Sequence, residues 1–175
     1  NFYGATGIDV YPKNNRHDNF TADKSGKPRY LTYVDFLAHK DMGEKTLLFF
    51  IDGLYGSKTL GGAPSLRWKM TPFHGSWPSS IFVSQDGIAV DSVGIDFLTS
   101  EFPDAQNLPY CDQYLHESAL LPNPPSRTIY DPERDGKPVL KSLGVHEHWN
   151  NPIEKKYSRN LSKEGKGIEL VYIKK

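Results

Sequence analysis

The sequence predicts an α/β domain: a mostly parallel sheet with helices on both faces and long loops gathered at its carboxyl edge. Three stretches predict it. Residues 45–51 (KTLLFFI) form a continuous apolar run of strand length, the pattern of a strand covered on both sides. Residues 79–102 (SSIFVSQDGIAVDSVGIDFLTSEF) read as strand, turn and helix with a carboxylate at the junction, where α/β proteins place ligands. Residues 167–173 (GIELVYI) read as a closing strand.

Taken in order, residues 1–27 are polar and rich in Gly, Asn and charge. They read as loop, with a short extended piece around residues 7–11. Arg16, His17 and Asp18 sit together there, in a loop that faces solvent or touches a ligand. Residues 30–40 carry Tyr30, Tyr33, Val34, Leu37 and Ala38 at helical spacing, with Pro28 upstream and Gly43 as a stop. The strand at 45–51 then delivers Asp52 to its carboxyl end.

Residues 54–78 hold four glycines (56, 61, 62, 75), three prolines (64, 72, 78) and Trp68 and Trp77. Ordinary connections run about 4–6 residues, so a loop this long is expected to be lid-like or functional. The central unit follows: strand Ser80–Ser84, Gln85 and Asp86 in the turn, helix from Gly87. Val90, Val93, Gly94 and Phe97 give that helix a core-facing stripe. Asp86 suits its N-cap, and Asp91 lies in its second turn. Residues 110–121 predict another helix, with Cys111, Tyr114, Leu115 and Ser118 on one side and Pro122, Pro124 and Pro125 ending it. Loop chemistry fills the rest up to Gly167. No repeat or linker interrupts residues 1–175, which read as one domain.

Composition excludes several classes. Lys plus Arg and Asp plus Glu each number 21, and no basic stripe stands out, against a nucleic-acid partner held through its phosphates. No apolar run approaches the ~18 residues of a membrane span. The single cysteine, Cys111, excludes an intrachain disulfide and a CxxC-type metal or iron–sulfur site. The chain starts with Asn rather than Met, consistent with a removed leader or a fragment.

Four segments together resemble the DUF362 family: KTLLFFIDGLYG, WKMTPFHGSWPSSIFVSQDGIAVDSVGIDFL, YLHESALLPNPPSRTIYDPERDG and LGVHEHWNNPIEKKYSRNL. The likeness is to the bacterial, often exported form without ferredoxin modules, and it runs over nearly the whole chain. It implies an exported or periplasmic protein of uncharacterised function. It also implies that NFYG at the start is the end of a family segment normally well inside the domain, so the N-terminal part of the protein is expected to be missing. Some relatives carry iron–sulfur modules, for which this chain has no cysteine ligands. The family usually has Pro where this chain has Gly87, which is expected to loosen the turn slightly.

The leading constellation is Asp52 with Asp86. At the carboxyl ends of parallel neighbouring strands, both would face one crevice, to hold a divalent cation or serve as acid and base. Asp91 joins them as a third catalytic candidate only if the first helical turns bend toward the crevice. Tyr55, Ser57, Lys58 and His74 are the expected ligand-binding residues, Lys58 neutralising a small anion beside a glycine-rich loop. The blander reading of the two carboxylates is a helix cap at Asp86 and an Asp-Gly turn at Asp52. Asp131, Glu133 and Asp135, with Gly136, resemble the front half of a calcium loop, yet the position that needs an acid is Ser142. His146 and His148 fall on one face if extended, and a third metal ligand would come from His116, His74 or Glu117.

The first functional expectation is therefore a small-molecule or cation site at the carboxyl edge, enzymatic or purely binding. The alternative is a non-catalytic exported binding or structural module whose Trp68, Trp77 and Trp149 present aromatic surface to a polymer or protein.

Overall fold

The computed structural model describes residues 30–58, 66–105, 112–158 and 167–174. The expectations for residues 1–27, Cys111, and the glycines and proline at 61, 62 and 64 lie outside them. The chain divides into two compact units, Asn1–Leu47 with Tyr110–Leu143, and Leu48–Pro109 with Gly144–Lys175.

In the first unit, helix α1 (Thr32–Ala38) and helix α3 (Gln113–Ala119) pack together. The core is Leu31, Val34, Leu121 and Tyr130, with Val34 fully buried. Two buried carboxylates are satisfied locally. Glu117 accepts from the Ser126 backbone N–H at 2.8 Å, the Ser126 hydroxyl at 2.5 Å and the Tyr130 hydroxyl at 3.1 Å. Asp35 accepts from the Tyr30 hydroxyl. An unpaired charge in such a place would be costly, and these donors remove that cost.

In the second unit, strands β1 (Phe49–Gly53) and β2 (Ser80–Ser84) pair antiparallel, with Phe49 opposite Ser84 and Gly53 opposite Ser80. Helix α2 (Gly87–Glu101) packs on this ribbon. Phe97, Val93, Trp68, Phe73, Phe102, Tyr157 and Ile168 form the core, with the Trp68 ring edge-on to Phe73 at 5.2 Å and to Phe102 at 5.6 Å. Gly87 belongs to this packing: a β-carbon there would stand 2.9 Å from the Phe49 ring. Its lack of a side chain thus admits the aromatic ring of Phe49.

The expectation of a mostly parallel sheet covered on both faces is overturned. Among the described residues the sheet is one antiparallel ribbon of two strands. A parallel neighbour needs a crossover that carries the chain back, normally through a helix. The described residues between β1 and β2 form turns and an isolated bridge between Trp68 and Ser76, with no helix. The apolar run 45–51 misled for a related reason. Its first residue closes a 3₁₀ turn (Gly43–Lys45), the strand starts only at Phe49, and just one face is covered, leaving Phe50 62 % exposed. Residues 167–173, expected as a closing strand, pair with nothing as a strand among the described residues.

Candidate functional site

The antiparallel register separates the leading pair. Asp52 lies opposite Ile81, near the start of β2, whereas Asp86 follows the end of β2, whose Ser84 is opposite Phe49. The two carboxylates therefore belong to opposite ends of the ribbon and share no crevice. Each also has a local task. Asp52 accepts from the Leu54 backbone N–H at 3.0 Å, an Asx-type turn. Asp86 caps α2 through one oxygen, bonded to the Ile88 and Ala89 N–H groups at 2.9 and 3.0 Å. Its other oxygen takes the Val145 N–H at 2.8 Å. Gly144 makes that approach available, because a β-carbon there would sit 2.1 Å from the Asp86 carboxylate.

Asp91, Tyr55, Ser57, Lys58 and His74 each have surroundings of their own. Asp91 is half-buried in the second turn of α2. Tyr55 is 58 % exposed and meets Trp77 edge-on at 5.2 Å. Ser57 is half-buried in the same loop. Lys58 pairs with Asp104, whose carboxyl it holds below the usual range. His74 is exposed in a tight turn with a left-handed backbone, φ 47°. In the first unit, Asp131 accepts from the Asp135 and Gly136 N–H groups, Glu133 pairs with Lys40, and Asp135 with Lys137. These carboxylates close turns and bind lysines instead of pointing at one centre. Glu133 and Asp135 are held below the ordinary carboxylate range by those hydrogen bonds, the backbone N–H of Lys40 first for Glu133 and the Lys137 side chain first for Asp135. His116 sits against Asp112, its Nδ1 at 3.1 Å from the backbone oxygen.

A different set of residues in the second unit does converge. Ser92 and Asp96 are one helical turn apart on the buried face of α2. Ser92 Oγ lies 2.8 Å from His146 Nδ1, and Asp96 Oδ1 lies 2.6 Å from His148 Nδ1. The spacings match: four helical residues rise about 6 Å, and two extended residues span about 6.6 Å. Imidazoles two apart on an extended segment therefore reach acceptors four apart on a helix. The two rings meet in a T at 4.9 Å.

A carboxylate only accepts, so His148 carries its proton on Nδ1. The Ser92 hydroxyl bridges the Ile88 carbonyl, at 2.7 Å, and His146 Nδ1. The two rings thus turn their Nδ1 atoms to α2. Asp96 is 4 % exposed and is further fixed by the Trp149 N–H and the Tyr157 hydroxyl, both at 3.0 Å, while His148 is 49 % exposed. Burial, then the Asp96 charge, pushes the Tyr157 hydroxyl well above its usual pKa and keeps it a donor.

Sequence reasoning paired the two histidines but missed Ser92, Asp96, Tyr157 and Asp104. A signal existed for the first two: Ser92 and Asp96 adjoin the apolar positions Val93 and Phe97, and polar groups on a buried helix face require partners. The tryptophans of the aromatic-surface alternative are drawn inward. Trp68 is 5 % exposed, and Trp77 and Trp149 are half-buried. No helix among the described residues is long and apolar enough to cross a membrane. Comparison with family models, with curated proteins and with solved structures gives no match.

Proposed function

We propose that this protein binds a divalent transition-metal cation through His146 and His148. The observation that carries the reading is the pair of oriented imidazoles: each Nδ1 engaged by an oxygen of α2, with the ring centres 4.9 Å apart. Metal-binding histidines characteristically give their other ring N–H to a carboxylate or another oxygen, which fixes the tautomer and strengthens the ligand. Imidazole donors suit zinc, nickel, copper and cobalt, whereas oxygen-rich sites suit magnesium and calcium. The expected cation thus moves from the Asp52–Asp86 pair to the histidines. Coordination positions that the two rings leave over can take water or a small anionic ligand, as in sites that keep an open position.

Calorimetric titration with Zn²⁺ and Ni²⁺ tests the reading. Wild type is expected to bind both, and H146A and H148A to lose binding. D96N, which leaves both ligands in place, should weaken it by about 10–100-fold. Binding unaffected by either histidine variant, or no binding at all, overturns the reading. DUF362 membership and an exported location are further proposals supported by the resemblance of the four segments. Fractionation of the native cells tests the location.

A further inference from the structure

We propose that cation binding at His146 and His148 is coupled, through Glu147, to the docking of the C-terminal segment 167–174. The inference rests on the reading of those histidines as ligands. The middle residue of the His-Glu-His run works in the opposite direction from its neighbours. While the two rings bond to α2, the Glu147 carboxylate accepts from the Ile168 backbone N–H at 3.0 Å and the Ser158 hydroxyl at 3.2 Å. Side chains that alternate along an extended segment produce such a division.

The segment docks through Ile168 beside this carboxylate and through Leu170, which packs against the same core. Ile168 is 6 % exposed and belongs to the core of the second unit. Farther along, Val171, Tyr172 and Ile173 are 68, 61 and 86 % exposed. Glu147 is itself 9 % exposed, and these donors offset part of the cost of burying its carboxylate. An ion bridging residues 146 and 148 restricts the backbone on both sides of Glu147 and holds its carboxylate where Ile168 donates. Coupling of this kind is reciprocal: what the ion does for the segment, the docked segment does for ion affinity.

Hydrogen exchange at the Ile168 amide, with and without Zn²⁺, reads the coupling directly. In wild type the ion should slow exchange by about 5-fold or more, the lower end of ordinary coupling. The H146A/H148A double variant should show no ion effect. E147Q, which keeps both ligands, should bind Zn²⁺ about 5-fold or more weakly. Should E147Q fail to fold, I168A undocks the segment from the other side and should weaken binding likewise. Histidine-dependent binding with unchanged Ile168 exchange and unchanged affinity in the folded variants overturns the coupling alone. Absence of histidine-dependent binding overturns both this inference and the reading beneath it.

Discussion

Asp96 Oδ1 and His148 Nδ1 lie 2.6 Å apart, a buried carboxylate holding a half-exposed imidazole. The same carboxylate receives the Trp149 N–H and the Tyr157 hydroxyl. One side chain of α2 thereby orients a candidate ligand and anchors the chain on both sides of the 150–156 turn. Its replacement should affect binding and stability together.

D96N is expected to destabilise the protein by about 2–4 kcal/mol, since hydrogen bonds to a charged group are worth about 1.5–3 kcal/mol and the amide places a donor against donors. Urea denaturation measures it. A change under 0.5 kcal/mol would show that the three bonds contribute little.

Stability should fall as pH rises above about 10, the ordinary tyrosine value. Tyr157, Tyr30 and Tyr130 all have raised pKa values, with burial the first cause in each. Between the unfolded and folded values the unfolded chain gives up protons that the folded one keeps, so unfolding gains. Below that window the stabilisation is fully present. Y157F should flatten part of the alkaline decline in a thermal-melt series run from pH 8 to 11.5, and an unchanged slope would remove Tyr157 from the explanation.

G144A should break the link between the helix cap and the 144–145 segment. The added carbon would stand 2.1 Å from Asp86 Oδ1, so the Val145–Asp86 bond must open. A loss of about 1–3 kcal/mol is expected for a hydrogen bond to a charged group together with overpacking. D86A should be at least as damaging, because it also removes the N-cap, worth about 1 kcal/mol. Equal stability of G144A and wild type would contradict the close approach.

The two faces of β1 should respond differently. Phe49 lies against Gly87, whereas Phe50 is 62 % exposed. F49A is expected to cost about 2 kcal/mol, less than the ~3–5 kcal/mol of a fully buried ring. F50T should stay within about 0.5 kcal/mol of wild type. Equal large losses in denaturant melts would mean that both faces are covered.

Local signals in the chain were enough for several elements. Strand Ser80–Ser84, the Asp86 cap and the helix from Gly87 follow from short-range chemistry: apolar run, capping carboxylate and 3.6-residue stripe. The two histidines of HEH were also legible as a pair, because alternation along an extended chain is a local property. Strand direction was not. An apolar run looks the same whether its neighbour runs parallel or antiparallel, and pairing is decided by how the intervening loop returns. That choice separated Asp52 from Asp86.

By itself, the sequence determined which residues are polar, which are apolar and how they recur, and hence the helices, the β2 strand and the cap. Only the tertiary structure decided which distant groups meet. Asp96 and His148 are fifty-two positions apart, and no local pattern encodes their contact. It arises because the 146–148 segment lies along α2 with a rise that matches one helical turn, bringing a buried carboxylate a hydrogen-bonding partner that offsets its desolvation cost.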